Sequence, residues 1–157
     1  MTVVALREIE DSDLDALFDQ QRDPASVWMA AFTAEDPDDR TAFDAHMARV
    51  RGSSDIVHRA ITLDGRLIGT IARFVADGDL EITYWVDRSM WGHGIATRAL
   101  DLLLESAPER PLRARAASDN VASLRVLEKA GFRVVGTEVS FANARHAEIE
   151  ETILQLD

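Results

Sequence analysis

The chain has 157 residues, with 17 lysines and arginines against 28 aspartates and glutamates, which gives a formal net charge of −11 at pH 7. An acidic chain is a poor candidate for binding nucleic acid, because that function rewards a basic face. The chain has no cysteine, which excludes disulfides, thiolate metal sites and a cysteine nucleophile. Its length predicts one domain over 1–157, with room for one sizeable core.

We expect a cytoplasmic protein. The stretch MTVVALREIEDSD turns acidic at once and lacks the apolar run of a signal peptide. No run in the sequence approaches the length of a membrane-spanning helix, and the lack of cysteine fits a reducing compartment. The four histidines are scattered without ligand spacing, so we predict no metal site.

The first third of the chain is predicted to form a short strand in LREIE and then two helices. Ser12 is the expected cap of the first helix, and the second lies within 36–52 with Gly52 after its end. The apolar stretch 27–32 stands between polar loops. The apolar residues that recur at helical spacing are Leu14, Leu17 and Phe18 in the first helix and Phe43, Met47 and Val50 in the second.

Three strands are predicted next, near 56–63, 66–75 and 79–87. The Asp-Gly dipeptides Asp64–Gly65 and Asp77–Gly78 separate them, and this dipeptide is a strong hairpin signal. The three strands should therefore form an antiparallel meander.

A helix then follows, and Pro108 and Pro111 end it. A strand over 112–116 comes next, and a helix in DNVASLRVLEKAGF is capped by Asp119 or Asn120. The apolar stripe of the first of these helices is Ile95, Ala99, Leu102 and Leu103.

Gly131 stops the last helix, and the last two strands lie in FRVVGTEV and AEIEETILQLD. The predicted order is β-α-α-β-β-β-α-β-α-β-β. The unit near 79–117 should be a right-handed parallel crossover within a mixed sheet.

The segment WGHGIAT places Gly92 and Gly94 where a helix is about to begin. Glycine lets backbone N–H groups approach an anion, and the first helical turn leaves its N–H groups unpaired, so this turn predicts a phosphate cradle. The alternative is that the glycines only shape a tight turn. A P-loop would need Lys-Ser or Lys-Thr where Ile95 and Ala96 stand, and a dinucleotide fingerprint would need glycine at Thr97.

These stretches together resemble the GNAT family of acetyl-CoA-dependent N-acetyltransferases, and its RimJ/RimL-like branch in particular. LEITYWVDRSMWGHGIATRAL is similar to the family's central strand, pyrophosphate loop and helix, and DNVASLRVLEKAGF to its second signature. DGRLIGTI resembles the preceding hairpin, and LREIEDSDLDAL the first strand and helix. The resemblance implies an α/β fold with a mixed, mostly antiparallel sheet of six or seven strands and helices on both faces.

The resemblance also implies acetyl-CoA as cosubstrate. Trp85 and Val86 would give backbone hydrogen bonds to its pantetheine arm, and Asn120 would contact it near the sulfur end. Trp91 would anchor the loop by packing. The family often has Gln or Arg where Ser89 stands, which is a departure. The residues that would surround the pyrophosphate are Gly92, His93, Gly94, Ile95, Ala96 and Thr97.

The implied chemistry needs a base, because an amine acceptor is mostly protonated near neutral pH. By resemblance the base is Glu81 and the acid is Ser123, with Val86 N–H suited to the oxyanion. The alternatives are a hydrogen-bonded strand residue for Glu81 and an ordinary helical hydroxyl for Ser123. Leu127 stands where many relatives have a tyrosine acid, and we interpret Tyr84 as a packing residue.

The resemblance thus implies acetyl transfer to a primary amine, either a small molecule or a protein N-terminus, by direct attack in a ternary complex. One alternative is a non-catalytic acyl-CoA-binding or regulatory module, and another is an enzyme for longer acyl groups. Acceptor choice would lie in 22–55, where Trp28, Met29 and Phe32 form either a pocket lid or a helix face, and in 137–147. No nucleic acid or membrane partner is expected, and a homodimer is left open.

Overall fold

The computed structural model describes residues 2–157, which form a seven-stranded sheet flanked by helices. The strands are β1 Val4–Glu8, β2 Val57–Leu63, β3 Arg66–Ala76, β4 Asp79–Val86, β5 Leu112–Ala117, β6 Arg133–Ala142 and β7 Ala147–Leu156. The helices are α1 Leu14–Gln21, α2 Pro24–Ala30, α3 Arg40–Gly52, α4 Ile95–Ser106 and α5 Val121–Lys129. Within residues 2–157, no helix is both long enough and apolar enough to cross a membrane.

The sheet runs in the order β1-β2-β3-β4-β5-β7-β6, and every neighbouring pair is antiparallel except β4–β5. The Asp64–Gly65 turn has φ of 51° and 85°, and the Asp77–Gly78 turn has φ of 50° and 84°. Positive φ at both central residues is what a two-residue type I′ hairpin requires. The predicted meander, the parallel crossover pair and the mixed, mostly antiparallel sheet are therefore confirmed.

Helices cover both faces of the sheet, as predicted. Ile61 belongs to the main core cluster with residues of α4 and α5, whereas its neighbour Ala60 packs with Leu17 of α1 and Met47 of α3. Successive strand residues point to opposite faces, so the two clusters lie on opposite sides of the sheet. The α4 residues buried in the main cluster are Ile95, Ala99, Leu100 and Leu103.

Helix α2 is absent from the predicted order. Its start carries the local signals of a helix, because the Asp23 side chain accepts the Ser26 N–H at 3.0 Å and Pro24 takes the first helical position. Its seven residues are too few to show a helical period. The prediction for the stripe of α4 was also inexact, since Leu102 is half-buried and Leu100 takes its place in the core.

The predicted cap of α1 was wrong. Ser12 lies inside a 3₁₀ turn at Asp11–Asp13, and Asp13 occupies the cap position. Its carboxylate accepts the Glu10 N–H at 2.8 Å and two bonds from the Arg7 guanidinium, at 2.7 and 2.9 Å. These bonds occupy the Asp13 carboxylate, so α1 begins without a side-chain cap bond.

The predicted end of α3 was inexact, whereas the predicted limits of α5 agree with the structure. Gly52 is the last residue of α3, with Ser53 after it, so the predicted end is one residue early. For α5, Asn120 is the cap, because its side chain accepts the Ser123 N–H at 3.3 Å, and Gly131 follows the helix with φ of 100°. The second of the two alternatives for this cap is therefore the correct one.

Replacing Asp13 by Ala should lower the free energy of unfolding by about 2 kcal/mol, because the buried carboxylate joins β1 to α1. The Arg7 guanidinium holds the pKa of Asp13 below its ordinary value. A depressed carboxyl pKa contributes stability above the unfolded pKa that is lost as pH falls through the folded value, so the difference between wild type and variant should shrink in acid.

Urea unfolding at several pH values measures this difference. The control is Asp15→Ala, whose exposed carboxylate pairs with Arg40 on the surface and should change stability by less than about 0.5 kcal/mol. An equal loss in the two variants would refute the role given to Asp13.

Candidate active site

The parallel pairing of β4 with β5 is unusually short. It joins Glu81 to Arg113 and Ile82 to Ala114, and both strands then continue, to Val86 and Ala117, beyond the last paired residues. The antiparallel pairing of β4 with β3 meanwhile runs along the whole of β4. We call the opening beside the unpaired ends of β4 and β5 the gap.

The backbone of Val86, rather than that of Trp85, faces the gap. The Trp85 carbonyl lies against β3, where a Cβ built on Gly69 would come within 2.0 Å of its oxygen. Because the backbone polar groups of successive strand residues alternate between the two neighbouring strands, Tyr84 and Val86 direct theirs at the gap. The Trp85 indole N–H donates to the Gln20 carbonyl at 3.2 Å.

The glycine loop after β4 is tied to the strand. The Trp91 indole N–H donates to the Val86 carbonyl at 2.9 Å, so this 43% exposed side chain joins the loop to β4 by a hydrogen bond. His93 Nδ1 lies 2.9 Å from the Trp91 carbonyl and 3.2 Å from that of Met90. A carbonyl can only accept, so Nδ1 carries the hydrogen.

Both loop glycines have left-handed backbones, with φ of 79° at Gly92 and 74° at Gly94, and no atom lies within 4 Å of a Cβ built on either. Gly94 is the residue before α4, and the first N–H groups of α4 have no partner within the helix. Ile95 is buried in the core and fixes the start of the helix, whereas Ala96 and Thr97 are half-buried. The loop geometry fits an anion cradle.

The two polar residues before the loop have other partners. The Ser89 hydroxyl donates to the Asp87 carboxylate at 2.9 Å, and the Arg88 guanidinium pairs with Asp23 at 3.0 Å. Ser89, which stands where the family often has a longer donor, is thus committed to a turn, and Arg88 to the start of α2.

Two hydroxyls meet at the gap on the side of α5. Tyr84 Oη and Ser123 Oγ lie 2.8 Å apart, and either can donate. Burial raises the pKa of Tyr84. The interpretation of Tyr84 as packing alone missed this contact. Asn120 caps α5 beside the pair and donates to the Met29 carbonyl at 3.4 Å, whereas Leu127 is buried in the core.

Glu81 is a buried carboxylate with one cation beside it. The residue is 7% exposed, and its Oε1 lies 3.3 Å from Arg115 Nε. Burial raises the pKa of Glu81, while the neighbouring Arg115 opposes that rise. A carboxyl group with raised proton affinity suits a general base.

A cavity of about 560 Å³ connects these groups. Its lining includes Glu81 and Arg115 as well as Tyr84 and Ser123. Glu81 and Tyr84 are three positions apart on β4 and so point to opposite faces, which means that the cavity reaches both faces of the sheet at the gap. Besides Tyr84, the phenylalanines and tryptophan of its wall are Phe18, Phe32, Phe43, Phe74 and Trp85.

The segment 31–39 forms one wall of the cavity, and the 3₁₀ turn Asn143–Arg145 holds it. The Ala144 N–H donates to the Ala31 carbonyl at 3.1 Å, and the Asn143 side chain donates to the Thr33 carbonyl at 2.7 Å. The two regions expected to choose the acceptor are therefore in direct contact.

The backbone at Ala31 is strained. Its φ of 65° and ψ of −55° form a γ-turn of the unfavourable hand, closed by the Phe32 N–H donating to the Ala30 carbonyl at 2.7 Å. This turn places Phe32 on the cavity wall. Trp28 is instead 55% exposed, and the Met29 carbonyl accepts the bond from Asn120, so only Phe32 of these three residues lines the cavity.

Arg145 joins this wall to the start of α5. Its guanidinium lies 4.4 Å from the centre of the Trp28 ring and donates to the Trp28 carbonyl at 2.7 Å. It also donates to both carboxylate oxygens of Asp119, at 2.8 and 3.2 Å. Sequence reasoning could not foresee these contacts, because 117 residues separate Arg145 from Trp28 along the chain.

Residues 4–133 match the profile of the acetyltransferase (GNAT) domain, so the chain belongs to the GNAT acetyltransferase family. Over 81 residues it is 38% identical to the probable N-acetyltransferase YjcK of Bacillus subtilis (strain 168). That match covers 46% of this chain and 45% of YjcK, so it spans less than half the length of that relative.

Solved structures share the fold. RimJ of Mycobacterium smegmatis, in complex with CoA-disulfide, has a TM-score of 0.84 at 23% identity, covering 98% of this chain and 81% of RimJ. RimL, a ribosomal L7/L12 alpha-N-protein acetyltransferase in complex with coenzyme A, has a TM-score of 0.82 at 17% identity, covering 98% of this chain and 93% of RimL. The predicted GNAT fold is confirmed, and RimJ and RimL share it.

Replacing Gly69 by Ala should lower the free energy of unfolding by about 3 kcal/mol, because the new Cβ would overlap the Trp85 carbonyl and force β3 and β4 apart. Urea unfolding measures the loss. The matched control is Gly136→Ala on β6, where nothing lies within 4 Å of the built Cβ. If Gly69→Ala is as stable as this control, then β3 does not constrain Trp85.

Proposed function

We propose that this protein transfers an acetyl group from acetyl-CoA to a primary amine by direct attack in a ternary complex. The observation that carries the proposal is the cavity at the gap, which connects the buried Glu81 carboxylate with the Tyr84–Ser123 hydroxyl pair. The family membership of the chain supports an acetyltransferase. We also propose that the protein is located in the cytoplasm, as expected from the sequence.

The residues present fit acetyl-CoA as cosubstrate. Around its pyrophosphate, the loop 92–97 would supply backbone N–H groups, and the glycines leave the space that oxygens need. The pantetheine arm would enter the gap and bond to the backbone of Val86, with Asn120 near its sulfur end. The coenzyme A bound in the RimJ and RimL structures supports this assignment.

In the proposed reaction, the amine nitrogen bonds to the acetyl carbon and the carbon–sulfur bond breaks. A lysine-like amine has a pKa of about 10.4 and must lose a proton, which Glu81 would accept directly or through a water molecule. The Val86 N–H would stabilise the oxyanion. Ser123 would give its proton to the departing thiolate, and Tyr84 can replace that proton through their hydrogen bond.

The second candidate is a non-catalytic module that binds acyl-CoA. The burial of Leu127 at the position of the usual tyrosine favours it, whereas the Tyr84–Ser123 pair favours catalysis. A thiol-release assay with a panel of amines separates the two, since tight binding of coenzyme A without release on any amine would support the module. Competition between acyl-CoA substrates of different chain length identifies the acyl group that is transferred.

Replacing Glu81 by Gln should lower kcat at least about 100-fold, because the acceptor would lose its base. The dissociation constant of coenzyme A should change less than about twofold, since the carboxylate would act on the amine and not on the cofactor. Thiol release and calorimetry measure the two quantities, with Glu148→Gln on the exposed part of β7 as control. An unchanged kcat would remove Glu81 as the base.

Replacing Gly94 by Ala should weaken coenzyme A binding about tenfold or more. The methyl group would occupy the open side of the loop, and a left-handed backbone at a non-glycine residue costs about 1–2 kcal/mol. Calorimetric titration measures the affinity. Gly52→Ala at the end of α3, with no atom within 4 Å of its built Cβ, is the control. Wild-type affinity in Gly94→Ala would argue against the cradle.

A further inference from the structure

One arginine beside the cavity is shared by three carboxylates. Arg115 Nε lies 3.3 Å from Glu81, while its Nη1 lies 2.6 Å from Glu138 and 3.3 Å from Glu151. The Glu81 and Glu151 side chains are 9% and 12% exposed, whereas Glu138 is 56% exposed and lies on the rim. The buried carboxylate thus shares its nearest cation with a solvent-accessible competitor.

The four residues come from four adjacent strands. Glu81 is on β4, Arg115 on β5, Glu151 on β7 and Glu138 on β6, in the spatial order of the sheet. Glu138 and Glu151 are directly opposite each other in the β6–β7 ladder. Like charges in that position repel, and a cation that bridges them removes the penalty. The Arg115 charge therefore also stabilises the β6–β7 hairpin.

We propose that Arg115 is a positioning residue for Glu81, and that Glu138 and Glu151 compete with Glu81 for its guanidinium. The inference rests on the proposed role of Glu81 as the base. If Arg115 paired with Glu81 alone, its charge would hold the carboxylate ionised and make it a weak base. Sharing leaves Glu81 able to take a proton, so Glu138, which does not contact the cavity, sets the basicity of a group inside it.

The direction of the effect is fixed by two changes of the same sign. Removing the charge of Glu138 takes a negative charge away from Glu81, and it also frees Arg115 to bond more closely to Glu81. Both changes favour the ionised carboxylate and so lower its pKa. The other charged or titratable groups near Glu81 stay in place: Asp79 and Arg113 on neighbouring strand positions, and Asp36, Asp39 and His46 across the cavity.

The test is a carbon-13 NMR titration of the Glu81 carboxyl in the full chain, without ligand. We expect Glu138→Gln to lower the pKa of Glu81 by about 0.5 unit or more. Glu150→Gln is the matched control. It removes the same charge from the residue next to Glu151, and the Glu150 side chain points to the other face of β7. We expect a much smaller shift in this control.

Arg115→Met should move the pKa of Glu81 upward, and circular dichroism checks that this variant folds. If it does not fold, the Glu138→Gln result decides alone. An unchanged or raised pKa in Glu138→Gln would overturn the proposal. An equal shift in Glu150→Gln would also overturn it, because the effect would then be the general loss of charge.

A second measurement separates this inference from the proposed function. The acidic limb of the pH profile of kcat/KM should move to lower pH in Glu138→Gln by the same amount as the NMR pKa. If the NMR pKa moves and the limb does not, Arg115 positions Glu81 as inferred, but Glu81 is not the base. If Glu81→Gln abolishes turnover but the NMR pKa of Glu81 is unchanged in Glu138→Gln, then Glu81 is still the base and the competition for Arg115 is refuted.

Discussion

The short parallel ladder between β4 and β5 is the constraint on which the site depends. A parallel pair that continued along both strands would use the backbone groups of Tyr84 and Val86 within the sheet. Because pairing ends after Ile82, these groups face an opening, and the cavity can reach both faces of the sheet. The uninterrupted β3–β4 ladder holds the other edge of β4, with Gly69 against the Trp85 carbonyl.

The same separation of strands creates the electrostatics of the cavity. Glu81 lies one residue before the last paired residue of β4, and Arg115 follows the last paired residue of β5. The two side chains can therefore meet above the gap while the carboxylate stays shielded from water. Burial and a partly committed cation act on Glu81 in opposite directions, and the protonation of this carboxyl reflects their balance.

Local chemistry made most of the fold predictable. The two Asp-Gly turns and the glycines before α4 are set by neighbouring residues and were found from the sequence, which also narrowed the cap of α5 to Asp119 or Asn120. Helix α2 was missed because seven residues show no period, although Asp23 and Pro24 marked its start. The contacts of Arg115 depend on the register of four strands, and no local pattern carries that information. The Tyr84–Ser123 bond likewise depends on how α5 packs across the sheet.

The strained turn at Ala31 has a consequence for how such proteins diverge. Its shape is maintained by Asn143 and Ala144, which donate hydrogen bonds to the backbone of Thr33 and Ala31 and do not themselves line the cavity. Loss of these hydrogen bonds would let the wall relax. The cavity would then change shape without any change to the side chains that line it. The shape of the cavity can therefore diverge through mutation at the β6–β7 turn, while Glu81, Tyr84 and Ser123 stay unchanged.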